Sequence, residues 1–110
     1  MRRVEVYRNS VLAGELTELD NGGYEFRYDE NYFADTKKAA ISLTLPKTRQ
    51  VYNEATLFPF FYNMLSEGVN RRLQSRLLKI DENDHFGFLA ATAGSDTIGA
   101  ITIKRPNHDA

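Results

Sequence analysis

The residues whose types could do chemistry here are His85, His108, Ser66 and the acidic run Asp81, Glu82 and Asp84, and their spacing makes no catalytic set. Two histidines, one at a helix start and one in the tail, are too few and too far apart for a metal or proton-relay cluster. His85 reads as a partly buried structural or capping residue. Ser66 would need a neighbouring base to act as a nucleophile, and none is identifiable. Asp81, Glu82 and Asp84 suit a helix N-terminus better than paired catalytic work. Gly22-Gly23 is a turn, and there is no glycine-rich phosphate loop, Gly-x-Ser-x-Gly elbow or His-Glu-x-x-His motif. With no cysteine, disulfides and thiolate metal sites are excluded, which is compatible with a reducing cytoplasm. The expectation is a chain with no catalytic residue, no metal and no cofactor.

What remains is suited to contact. Arg71, Arg72, Arg76 and Lys79 are either a solvated helix face or a contact for an acidic partner or phosphate. Phe58, Phe60, Phe61 and Tyr62 sit beside one another, and one helix stripe cannot bury four rings together with Leu57. Some ring must face outward, which makes residues 58–76 the leading contact surface. The formal net charge is −1, from 14 basic and 15 acidic residues. Whole-molecule steering to nucleic acid or an anionic membrane is therefore absent.

The elements that must position this surface follow from periodicity. In 110 residues with 42% hydrophobic content there is one core and one domain. Val4 and Val6 alternate with Glu5 and Tyr7, Asn9-Ser10 offers a turn, and Leu12, Gly14 and Leu16 alternate with Ala13 and Glu15, which predicts a hairpin. Asp20-Asn21-Gly22-Gly23 is the strongest turn signal, because Asn and Gly accept positive φ. Tyr24, Phe26 and Tyr28 share one face of a third strand, and a helical turn is expected near Glu30 to Phe33. Ile41, Leu43 and Leu45 predict a strand ended by Pro46, followed by an exposed connection from Pro46 to Ala55.

The second half predicts helices. Leu57, Phe60, Phe61, Met64 and Leu65 fall on one face of a helix over 57–68, with Thr56 as N-cap, Pro59 in the first turn and Gly68 as the terminal glycine. A second helix puts Val69, Leu73, Leu77 and Ile80 on its apolar face. Asp81 with Asp84 resembles a capping box opening a third helix, with Phe86, Leu89, Ala90 and Ala93 as its stripe and Gly94 at its end. Ile98 to Ile103 is a last strand before a polar tail. The fold class is therefore α+β, a small and mainly antiparallel sheet with three helices packed on it. No signal peptide and no membrane span is visible, and the expected location is the cytoplasm.

Ile41-Ser42-Leu43-Thr44-Leu45-Pro46, Tyr52, Phe60-Phe61-Tyr62-Asn63-Met64-Leu65-Ser66-Glu67-Gly68, Arg72 and Gly94-Ser95-Asp96-Thr97-Ile98-Gly99-Ala100-Ile101 occur in an order and spacing that resemble the N-terminal subdomain of HipA-type serine/threonine kinase toxins. The resemblance implies such a domain over residues 1–106 and a polar tail over 107–110. The sequence ends before any ATP site or catalytic aspartate, so it is expected not to be a kinase by itself. In this it resembles the small HipS-like proteins of tripartite HipBST toxin–antitoxin systems. That likeness implies an antitoxin that binds and inhibits a HipT-like kinase, within a complex whose HipB-like protein binds the DNA. The alternative is a non-inhibitory subunit that completes a split kinase and mediates its assembly. Inhibition would need a side chain in the kinase's nucleotide region or a clamp on its phosphate-binding loop. The residues assigned to that contact are Tyr62, Met64, Leu65, Ser66, Glu67 and Gly68, supported by Arg71 and Arg72. Ser66 replaces the proline usual in the fused proteins, and the chain has no tryptophan, so an inserted indole cannot be the inhibitory element.

Overall fold

The computed structural model describes residues 2–65, 68–91, 97–98 and 100–105. Strands β1 (Arg2–Arg8) and β2 (Val11–Glu18) form the predicted antiparallel hairpin. Asn9 and Ser10 take φ of 50° and 67°, the left-handed pair that suits a two-residue hairpin turn. The register slips at Val6/Tyr7, where Val6 faces Gly14 and Tyr7 faces Leu12. Ala13 is the additional residue of this bulge, and it turns inward and is fully buried while Leu12 is only half-buried. The simple alternation expected for β2 is broken for that reason. At Gly14 a Cβ would lie 2.4 Å from the Arg27 carbonyl oxygen and 2.8 Å from the Phe26 ring, so the ring can cross the strand only over a glycine.

The second turn is built as its residues dictate. Gly22 has a φ of 90°, its N–H donates to the Leu19 carbonyl at 3.0 Å, and Asn21 Oδ1 accepts from the Gly23 N–H at 2.9 Å. Strand β3 (Tyr24–Tyr28) follows, with Phe26 and Tyr28 fully buried. Asp29 then caps α1 (Glu30–Ala34) by accepting from the Asn31 and Tyr32 N–H groups.

Residues 41–45 are not a strand. Ser42 Oγ accepts from the Thr44 N–H at 3.2 Å, and the Leu45 N–H donates to the Ser42 carbonyl at 3.1 Å. This turn leaves Leu43 99% exposed and drives Ile41 and Leu45 into the core. Lys47 holds the loop by donating to the Asp35 and Lys38 carbonyls at 2.6 and 2.8 Å while its ammonium lies over the Tyr32 ring. The polar stretch expected to be a connection contains a strand, β4 (Val51–Glu54), paired with β3. As an edge strand it needs no apolar alternation, which is why periodicity passed over it.

After β4 come α2 (Pro59–Tyr62), α3 (Gly68–Leu78) and α4 (His85–Ala91), then β5 (Thr97–Ile98) and β6 (Ile101–Lys104). The single last strand is thus a hairpin, since Ile98 and Ile101 are register partners and the chain reverses between them. The sheet has six strands in the order β4-β3-β2-β1-β6-β5, all pairs antiparallel. The α+β class holds. One face of the sheet, carrying Val4, Val6, Leu16, Phe26 and Ile103, packs with Phe61, Phe86 and Phe88 in a fully buried core.

Tyr28 joins this core to the loop above it. Its hydroxyl donates to the Leu45 carbonyl and accepts from the Ile41 N–H at 3.1 Å. Burial pushes the hydroxyl up to about 12, so it stays a neutral donor at ordinary pH. Replacing it strands two buried backbone groups. Tyr28→Phe is therefore expected to lower unfolding free energy by about 1–3 kcal/mol in urea titrations with an unchanged m-value.

Candidate partner-binding surface

The segment expected to be one helix over 57–68 is two elements. Phe58, not Thr56, is the N-cap of α2, with extended backbone and no side-chain cap bond, and Pro59 takes the first helical position, where its missing N–H costs nothing. After Tyr62 the chain tightens. The Met64 N–H donates to the Phe61 carbonyl and the Leu65 N–H to the Tyr62 carbonyl, both at 3.1 Å and both three residues back. Gly68 opens α3 instead of closing α2.

This shortened helix explains the surplus of rings. Phe61 is fully buried among Phe26, Phe58 and Phe60, at ring separations of 5.8, 6.2 and 5.2 Å. Phe58 escapes the helical stripe because its extended backbone aims the ring inward, and Phe60 is half-buried. Tyr62 is the ring left outside, 38% exposed and edge-on to His85 at 5.0 Å. His85 accordingly packs between elements and is only partly exposed, as its position suggested.

The second helix departs further from expectation. Leu73 and Leu77, assigned to a core-facing stripe, are 52% and 76% exposed, and Leu78 is exposed too. Among the described side chains of the helix Gln74 and Ser75 are the half-buried ones, and the side chain of Val69, expected on the same apolar face, lies outside the described residues. Ile80, beyond the helix, does pack against the core. The helix ends with Lys79 at a φ of 58°, the Ile80 N–H donating back to the Ser75 carbonyl at 3.2 Å and Ser75 Oγ donating to the Ile80 carbonyl at 2.5 Å. That is a left-handed helix stop with lysine where glycine is usual.

The third helix is held at both ends by arginines. Asp84, rather than Asp81, is its N-cap, with Oδ1 accepting from the Gly87 N–H at 3.0 Å. Asp81 instead closes a local turn by accepting from the Asn83 N–H at 2.8 Å. Arg2 donates to both Asp84 oxygens at 3.0 and 2.8 Å and to Glu18 at 2.7 Å, with its guanidinium over the Phe86 ring. At the far end, Arg105 Nε donates to the Ala90 carbonyl at 3.0 Å. Phe86, Phe88 and Leu89 are buried. Ala93 and Gly94, expected within and after this helix, lie outside the described residues, as does His108. Arg2 and Phe88 were not singled out from the sequence: the partners of Arg2 are as far away as 82 residues along the chain, and no local pattern announces them.

Of the assigned contact residues, Tyr62 and Arg72 stand at the surface. Met64 and Leu65 are buried and anchor the turn from within. Ser66, Glu67 and the side chain of Arg71 lie outside the described residues, and Gly68 is the first residue of α3. Among the described residues no group of His, Asp and Glu is placed to hold a metal ion, and no helix is long and apolar enough to cross a membrane.

The family model for the HipA N-terminal domain matches residues 4–104. The chain belongs to the HipA N-terminal domain family. It is 30% identical over 104 residues to an uncharacterised protein of Haemophilus influenzae, covering 94% of this chain and 92% of that protein. It is 25% identical over 103 residues to "Putative kinase Y4mE" of Sinorhizobium fredii, of which it spans 24%. A solved structure of the N-terminal domain of HipA toxin superposes with a TM-score of 0.72 at 24% identity, covering 97% of this chain and 94% of that one. The HipA-type fold therefore supplies the six-stranded sheet on which the surface of α2 and α3 is carried.

The Arg2–Asp84 pair gives the stability of the fold a pH dependence. The hydrogen bonds from Arg2, helped by the Gly87 N–H, hold the Asp84 carboxyl below its ordinary value of 3.8. A carboxylate depressed in the folded state stabilises it fully above the unfolded value, and that stabilisation is lost as pH falls below about 3.8 and through the folded value. Asn caps helices nearly as well as Asp, so Asp84→Asn isolates the charge. With Arg2 and Asp84 side chains 46% and 32% exposed, the expected cost is at most about 1 kcal/mol near neutrality. Chemical denaturation across acid pH should show wild type and variant converging below pH ~3.8.

Proposed function

We propose that this chain is an antitoxin-type binding protein that associates with a HipT-like serine/threonine kinase and inhibits it, using Tyr62 and Arg72 together with Ser66, Glu67, Gly68 and Arg71, which lie between them in sequence. The observation that carries the reading is the way the family domain recurs. It makes up 92% of the Haemophilus influenzae relative but 24% of the Sinorhizobium fredii relative, which carries a kinase name. A domain that occurs both as nearly a whole protein and as one part of a larger one is suited to act on that larger part from a separate chain. The surface fits such a role, because Tyr62 is an exposed aromatic anchor on a short helix and Arg72 is an exposed cation on the next.

The burial of Met64 and Leu65 favours a second reading, in which the chain completes a split HipA-type kinase and assembles it with a HipB-like DNA-binding protein without suppressing it. Buried residues stiffen the turn but cannot reach into a nucleotide site. Kinase autophosphorylation separates the two readings. Saturating wild-type protein is expected to reduce it at least tenfold, and undiminished phosphorylation would leave only the assembly role. Tyr62→Ala combined with Arg72→Ala is expected to raise the half-inhibitory concentration about tenfold or more, the loss of one anchor pair. Tyr62→Ala alone should cost the fold only about 0.5–1.5 kcal/mol through the lost His85 contact, which a thermal melt would register.

A further inference from the structure

Over its described side chains, from Arg72 to Leu78, helix α3 is inside out for an isolated domain. Its half-buried positions are Gln74 and Ser75, while Leu73, Leu77 and Leu78 face outward. Leu73 and Leu77 stand one turn apart and form a ridge about 6 Å long, the spacing at which two side chains enter one groove. Arg72, Arg76 and Lys79 flank that ridge, all exposed, and none has an ion-pair partner among the described residues. The charge distribution is equally lopsided. Residues 68–79 hold four cations and no carboxylate in a chain whose net charge is −1, so the rest of the molecule carries −5.

We propose that α3 is a docking helix, which inserts Leu73 and Leu77 into an apolar groove rimmed by carboxylates on the partner kinase. This surface is separate in role from the Tyr62 turn: α3 supplies affinity and the turn supplies inhibition. The proposal rests on the reading that the partner is a kinase. A protein groove is favoured over a lipid surface on three grounds. The segment has no aromatic residue to settle at a headgroup boundary, the acidic remainder of the molecule is repelled by an anionic bilayer, and 11 residues give a helix only about 16 Å long. In the Sinorhizobium fredii relative, moreover, the family domain is joined to further polypeptide that makes up most of that chain. Outward leucines flanked by exposed cations call for apolar cover and opposite charge together, and a carboxylate-rimmed groove offers both.

The test uses the full chain and a purified HipT-like kinase from the same organism, with calorimetric binding and autophosphorylation measured in parallel. Two variants are compared with wild type, Leu73→Asp/Leu77→Asp and Arg76→Glu/Lys79→Glu, both at exposed positions, both leaving Arg72 intact and both checked by thermal melts. Each is expected to weaken Kd by about 30-fold or more. The leucine variant, whose Arg72 is intact, should still inhibit fully once saturating. The affinity of wild type, but not of the charge-reversed variant, should fall as salt rises. Unchanged Kd in both variants overturns the docking helix while leaving inhibition standing. Binding by wild type without inhibition overturns the inhibitor reading while leaving α3 as the docking element if Kd responds. Absence of any binding, or α3-dependent self-association or binding to phosphatidylglycerol vesicles in its place, overturns the docking proposal outright.

Discussion

Because β1 is paired along both edges, to β2 on one side and to β6 on the other, the last described strand must return to the first, and the helices between β4 and β5 have to fit inside that return. A connection from one side of a sheet to the other must cross a face, and here it crosses the apolar one. Val4, Val6, Leu16, Phe26, Ile101 and Ile103 supply that face, and Phe61, Phe86, Phe88 and Leu89 cover it. Apolar burial holds the layers together, but it has no direction. Direction comes from a few polar ties of long reach. Arg2 binds the start of β1 to the end of β2 and to the cap of α4, and Arg105 binds the end of β6 to the last turn of the same helix.

The same logic holds the long loop between α1 and β4. It carries little regular structure, yet it is tied to the core by hydrogen bonds from three aromatic hydroxyls and one ammonium. Tyr28 reaches Ile41 and Leu45, Tyr32 reaches the Ala39 carbonyl, Tyr52 reaches the Pro46 carbonyl and Lys47 reaches Asp35 and Lys38. The rings also stack, Tyr28 on Tyr32 at 6.0 Å and nearly parallel. Backbone groups of the loop are thus answered by side chains from the sheet, Tyr28 and Tyr52, from α1, Tyr32, and from the loop itself, Lys47. A loop held in this way can expose Leu43 fully without loosening.

The functional reading depends on where this economy of burial stops. The core takes one ring of α2 completely and leaves Tyr62 outside, and among the described side chains of α3 the leucines face away from it. The outward leucines and the cations beside them add little to the packed core, and their side chains stand in solvent. The HipA-type domain offers the sheet and α4 as a platform, and the proposed contacts are all placed on α2 and α3.

Local chemistry was legible from the sequence alone. Asn9-Ser10 and Asn21-Gly22 turned the chain where expected, with Asn9 and Gly22 at positive φ, Pro59 took a first helical turn, and the alternation of β1 and β3 named their inward residues, whereas the cap of α4 fell to Asp84 and not to Asp81. These are decisions made within a few residues, where one conformation is much the cheapest. The surplus of rings and cations over 58–76 was legible too, and Tyr62 is the ring of α2 left at the surface. Tertiary structure alone decided the rest. Ile41 to Leu45 alternates like a strand but found no free edge, while the polar Val51 to Glu54 did, because pairing is granted by a neighbour and not by hydropathy. Leu73 and Leu77 carry the helical period of a buried stripe, yet a period states only that a helix has an apolar face. Whether that face meets the core or a partner depends on the space left once the sheet and the other helices have packed.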